Sequence, residues 1–70
     1  MHGLSNIHEL MTRVIYDNKG IGKNDFNRSM NQIIGCPVMI DGVNVRVLSI
    51  IELFYSIDYK CFAAVLNTDK

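Results

Sequence analysis

Tryptophan is absent from this 70-residue chain, proline occurs once and cysteine only twice. Two cysteines, Cys36 and Cys61, are too few for the disulfide framework of a small secreted domain. The apolar runs are only a few residues long, far short of the roughly 20 residues that a membrane helix needs. The first residues have neither a basic nor an apolar segment, so we expect no secretory signal and a cytoplasmic protein with reduced thiols.

Neither sign of charge is in excess, since the formal net charge is zero. A neutral chain has no global field that would steer it toward nucleic acid or an anionic membrane. Hydrophobic residues make up 49% of the sequence, which predicts a folded chain. The length allows a single domain, residues 1–70. A domain of this size has a thin margin of stability, and a partner chain often supplies what its own core cannot.

The first half of the chain carries apolar residues at helical spacing. A stripe predicts a helix over residues 6–18, with Asn6 and Glu9 as a capping box and Gly20 as its C-cap. The residues of this stripe are Ile7, Leu10, Met11, Val14 and Ile15. A second helix is predicted over residues 25–34, with Asn24 as its N-cap and Gly35 near its end. Its apolar residues are Phe26, Met30, Ile33 and Ile34.

After Pro37 the apolar period changes to two, which is typical of strands. Strands are predicted over residues 37–41, 43–54 and 58–66, and the Asp41-Gly42 pair predicts a tight hairpin between the first two. The order of elements predicts an α+β fold, in which two N-terminal helices pack on one face of a three-stranded antiparallel β-meander.

Both faces of this predicted sheet are apolar, although a face without helices should be polar. One explanation is a β-bulge near Leu48-Ser49 that resets the register. The other is that a protein partner buries the outer face, because large exposed apolar patches mark interfaces. The second explanation predicts a protein interface formed by Leu48, Ile50, Phe54, Phe62, Ala64 and Leu66.

The Gly20-Ile21-Gly22 turn, flanked by Lys19 and Lys23, resembles the hairpin of helix-hairpin-helix DNA-binding modules. The resemblance implies that the turn exposes backbone amides to a phosphate. The chain departs from that pattern at Asn18 and Lys19, where the family has an apolar residue and a proline, and at bulky Phe26. The alternative is a glycine C-cap with Ile21 in the core. The residues of the nucleic-acid interpretation are Arg13, Lys19, Gly20, Gly22, Lys23 and Arg28.

Catalytic and metal-binding patterns are not evident in the sequence. His2, His8, Cys36 and Cys61 lack the short paired spacing of a zinc site. Neither thiol is expected to act as a nucleophile, because Cys61 is predicted among apolar strand residues and Cys36 follows the negative end of the second predicted helix. We therefore expect no enzyme, no cofactor, no metal and no small-molecule substrate.

The sequence predicts a small protein-interaction module, a regulator or inhibitor of the kind that phages and mobile elements encode. It would dock through its sheet face or sheet edge. The expected partner is another protein or a second copy of the chain in a homodimer. Nucleic-acid binding is the alternative, and no membrane partner is expected.

Overall fold

The computed structural model describes residues 11–70, which form one helix and four strands. In chain order these are β1 (Met11–Tyr16), α1 (Lys23–Gln32), β2 (Pro37–Ile40), β3 (Val43–Ser56) and β4 (Cys61–Thr68). The strands form one antiparallel sheet in the order β1-β4-β3-β2. The prediction of two helices on a three-stranded meander is therefore wrong, because the segment before α1 is a strand of the sheet.

The predicted helix over residues 6–18 is replaced, within the described residues, by β1. Residues 6–10, including Asn6 and Glu9, lie outside the described residues. Thr12, Val14, Ile15 and Tyr16 are β-branched or aromatic, and such side chains favour a pleated strand. The strand pairs along its whole length with β4, from Met11 opposite Thr68 to Tyr16 opposite Ala63. This long-range pairing outweighs a helical apolar spacing that is only local.

The predicted second helix is confirmed, with its ends moved from 25–34 to Lys23–Gln32. Gly22, not Asn24, is its N-cap. Phe26 and Met30 lie one turn apart and are buried against the sheet, as their spacing predicts. They pack in one core cluster, whose other buried members are Ile40, Val45, Val47, Ala64 and Leu66.

The hairpin between β2 and β3 turns at Asp41-Gly42, as predicted. Asp41 has φ 52° and Gly42 has φ 78°, and positive φ at both central residues is the signature of a type I′ turn. β2 runs over Pro37–Ile40, close to the predicted 37–41, and β3 extends two residues beyond the predicted end at 54. β4 begins at Cys61 rather than at residue 58, because residues 57–60 form the turn between β3 and β4.

β3 contains two irregularities in its pairing with β4. The register shifts between Val47 and Ser49 and again between Ile50 and Glu52, so Leu48 and Ile51 are extra residues in the strand. Of the two explanations for the apolar faces, the β-bulge near Leu48-Ser49 is therefore present in the structure. Each extra residue reverses the alternation of side chains, and the second therefore restores the original alternation beyond it.

No helix within residues 11–70 has the length and apolar character needed to cross a membrane.

Candidate functional site

The sheet face opposite α1 carries a half-buried apolar patch. Because side chains alternate along a strand, Ala63 and Val65 point away from α1, whereas Ala64 and Leu66 point toward it. On neighbouring strands Tyr16 and Phe54 pair with Ala63, and Val14 pairs with Val65. We call this set the helix-free patch: Val14, Tyr16, Phe54, Ala63 and Val65.

Ala63 is fully buried although it faces away from the helix. It is the smallest residue of the patch and lies between Tyr16 on β1 and Phe54 on β3, whose larger side chains flank it. Glu52, opposite Val65, is the exposed charged residue at the margin of the patch.

The residues of the predicted interface do not share one face. Ala64 and Leu66 have no exposed surface and lie in the core under α1, and Ile50 and Phe62 pack against the same core. These four side chains do not lie on the outer face of the sheet, so the prediction that they form the interface is wrong. Phe54 does belong to the helix-free patch, and Leu48 is an exposed bulge residue. Ile50 was assigned to the wrong face because it lies between the two bulges of β3. The residues of β4 were assigned to the wrong face because apolar side chains occur at both parities of that strand.

The two edges of the sheet line a common cavity. β1 and β2 are at opposite ends of the strand order, yet both border one cavity of about 220 Å³. The sheet is therefore curled so that its edges approach each other. We call this cavity the edge groove; its lining residues are Val14, Ile15, Tyr16, Asn18, Met39, Ile40 and Asp41.

The loop between β1 and α1 is organised by the buried side chain of Asp17. The backbone N–H groups of Ile21 and Gly22 donate to its two carboxylate oxygens, each at 3.0 Å. The backbone N–H of Asp17 donates to the carbonyl of Phe62 at 2.8 Å. The segment before this loop is a strand, so the helix-hairpin-helix interpretation is wrong. The Asp17 carboxylate accepts hydrogen bonds from two backbone amides of the turn. In the helix-hairpin-helix interpretation, amides of this turn would bind a phosphate.

The same loop faces the turn between β3 and β4 across a second cavity of about 400 Å³, which we call the loop cleft. Lys19 and Lys60 both line it, and the ring of Tyr59 packs edge-on against Tyr16 with centroids 4.5 Å apart. The remaining lining residues are Asp17, Asn18, Gly20 and Cys61. Sequence reasoning missed Tyr59 and Lys60 because it assigned them to a strand.

The other predicted nucleic-acid residues are dispersed. Arg13 lies toward the far end of β1, where its Nε donates to the carbonyl of Lys70 at 2.8 Å. Arg28 is on the exposed side of α1 and forms an ion pair with Asp25 at 3.4 Å. Lys23 is the first residue of α1, and Gly22 precedes it.

The thiols are separated in the structure. Cys36 is exposed before β2 and Cys61 is half-buried at the start of β4, and both are free. Within residues 11–70 no three His, Cys, Asp or Glu side chains are grouped to hold a metal ion. His2 and His8 lie outside the described residues.

The comparisons with known proteins give no match: no family model, no curated protein and no solved structure is significantly similar to this chain.

Proposed function

We propose that this protein is a small, non-catalytic interaction module that acts as a regulator or inhibitor by docking through its sheet. The observation that carries the proposal is the helix-free patch, in which Val14, Tyr16, Phe54 and Val65 are all half-buried with the only helix of residues 11–70 on the other face. A partner that covered the patch would remove this apolar surface from water, which is favourable by about 25 cal/mol per Å².

The partner proposed for the patch is a second copy of the chain. The five patch residues are uncharged, the carboxylate of Glu52 is confined to the margin, and the net charge of the chain is zero, so two copies meet without general repulsion. A two-fold dimer is the commonest assembly of soluble proteins, and it pairs the same surface on both subunits. A cytoplasmic location is part of this proposal, supported by the two free thiols.

Phe54→Asp tests the patch, because it places a carboxylate within the proposed interface. We expect the unchanged protein to sediment as a dimer at micromolar concentration and Phe54→Asp to sediment as a monomer. A buried unpaired charge at an interface costs about 3 kcal/mol or more, which weakens association by more than about a hundredfold. The measurement is sedimentation equilibrium over a wide range of concentration.

The matched control is Tyr55→Asp, on the next residue of β3, which is exposed and points to the other face. This variant should dimerise like the unchanged protein. A monomer at all concentrations for the unchanged protein, or equal loss of dimer in both variants, would contradict the proposal.

Nucleic-acid binding is the second candidate, and the loop cleft is the observation that favours it. Lys19 and Lys60 supply cationic groups, and exposed Tyr59 supplies a ring on which a base could stack. The amides of Ile21 and Gly22 are already bound by Asp17, so the cleft rather than the turn backbone would carry the contact.

Lys60→Gly tests whether Lys60 binds nucleic acid or only forms part of the turn between β3 and β4. Lys60 has φ 57°, a left-handed conformation that glycine adopts without strain, so the variant should be more stable by up to about 1 kcal/mol. Urea unfolding measures this gain. If the cleft binds nucleic acid, the same variant should bind a single-stranded oligonucleotide more weakly at low salt, with a smaller salt dependence. Unchanged oligonucleotide binding, or none by the unchanged protein, would exclude the cleft.

A further inference from the structure

The edge groove is bordered by backbone rather than by one face of a strand. Three consecutive residues of β1 line it, Val14 to Tyr16. From the other side it is lined by Met39 and Ile40 of β2 and by the turn residue Asp41. Consecutive residues point to opposite faces of a sheet, so a cavity that touches all of them lies against the strand edges themselves.

The hydrogen-bonding pattern shows which backbone groups of β1 point into the groove. In an antiparallel pair, alternate residues direct both backbone groups toward the neighbouring strand. Asp17 donates to Phe62 on β4, so Ile15 and Arg13 also face β4. The N–H and C=O of Val14 therefore point outward. Tyr16 confirms this alternation, because its carbonyl turns outward to accept from the N–H of Asn18 at 2.8 Å.

On the opposite side of the groove, the residues of β2 alternate in the same way. Val47 donates to the carbonyl of Cys36, so Cys36, Val38 and Ile40 face β3. The N–H and C=O of Met39 consequently point outward. Pro37, which has no N–H, also occupies an outward position, where an edge strand tolerates proline. Within residues 11–70 neither β1 nor β2 pairs with another strand on this outer side.

The geometry points to the edge groove as a binding site for one extended peptide strand of a partner protein. Such a strand would form backbone hydrogen bonds with Val14 on one side and Met39 on the other, and it would close the curled sheet. β1 and β2 run antiparallel to each other, so the peptide would be antiparallel to one edge and parallel to the other. A folded sheet edge does not fit this position, since strands flank the groove on both sides.

The side chains of the groove define the chemistry of the peptide. Ile15 and Ile40 belong to the core side, so the peptide residues that point inward should be apolar. Among the residues within 11–70 that line the groove, Asp41 alone is charged, and its carboxylate is complementary to a lysine or arginine near one end of the peptide. This inference goes beyond the proposed dimer, which uses the sheet face.

The test uses a synthetic peptide of alternating valine and threonine with a lysine at each end, titrated into the full chain and followed by NMR. We expect the backbone amide signals of Val14 and Met39 to shift and their hydrogen exchange to slow. Val14→Pro and Met39→Pro each remove one outward N–H without breaking the sheet ladder, and each should weaken binding by about tenfold.

Thr12→Pro is the matched control, since Thr12 is an outward residue of β1 that lies outside the groove. It should leave peptide affinity within about twofold of the unchanged protein. A peptide of the same sequence that is N-methylated at its central residues should not bind, and this control does not depend on the folding of any variant. Glutamate in place of the terminal lysines should weaken peptide binding, because its carboxylate is repelled by that of Asp41.

Three results would overturn the inference. The first is no amide shift at millimolar peptide, and the second is equal loss of affinity in Thr12→Pro and Val14→Pro. The third is slow hydrogen exchange at Val14 and Met39 before any peptide is added, which would mean that the chain itself or a second copy already fills the groove. Met39 lies outside the helix-free patch, so Met39→Pro should bind the peptide more weakly but keep the dimer, and the two proposals can fail separately.

Discussion

Asp17→Ala is expected to lower the free energy of unfolding by about 3 kcal/mol. Asp17 is 5% exposed, and its carboxylate accepts from two backbone N–H groups at 3.0 Å. Hydrogen bonds to a charged group contribute about 1.5–3 kcal/mol each, and their removal leaves the amides of Ile21 and Gly22 without this acceptor. These amides immediately precede α1, so the loss also loosens the attachment of the helix to β1.

Asp17→Asn should lower the free energy of unfolding less than Asp17→Ala does, because the asparagine side-chain oxygen still accepts from one amide. Its NH₂ group faces the second amide and does not accept from it, so part of the loss remains. Urea unfolding followed by far-UV circular dichroism at one fixed protein concentration measures both variants, since the chain has no tryptophan. Glu52→Ala is the control, because it deletes an exposed carboxylate and should change stability by less than about 0.5 kcal/mol. A loss below about 1 kcal/mol in Asp17→Ala would show that this carboxylate does not hold the loop.

Leu66→Ala is expected to cost about 3 kcal/mol of stability. Leu66 has no exposed surface and packs in the core cluster with Phe26 and Met30 of α1. Truncation of a buried leucine removes its transfer free energy and leaves a cavity, and the two effects together cost about 2–5 kcal/mol. In a domain this small, such a loss is a large part of the total stability.

Leu48→Ala is the matched comparison, because Leu48 is a leucine of the same sheet that lies in a bulge and is 41% exposed. It should cost less than about 1 kcal/mol in the same unfolding measurement. If Leu66→Ala does not fold, Leu66→Ile should still fold with a loss below about 1.5 kcal/mol, because volume is nearly conserved. Equal losses at Leu66 and Leu48 would mean that the faces of β4 are assigned incorrectly.

The candidate sites were only partly accessible from the sequence. Phe54 and the apolar character of both sheet faces could be read from the residue pattern, and both contribute to the helix-free patch. The edge groove could not be read in this way, because it depends on strands from the two ends of the sheet that meet through curvature. The sequence did not show that Lys60 and Lys19 line the same loop cleft, because this depends on the turn between β3 and β4 at residues 57–60.

The sequence by itself determined the elements whose signals are local. Phe26 and Met30 at helical spacing defined α1, and Asp41-Gly42 defined the hairpin because few residue pairs accept positive φ at both positions. The tertiary structure alone decided that Met11–Tyr16 is a strand and which face of β4 is buried. The physical reason is that these segments have apolar residues at both parities, so local periodicity is ambiguous and pairing between distant strands selects the structure.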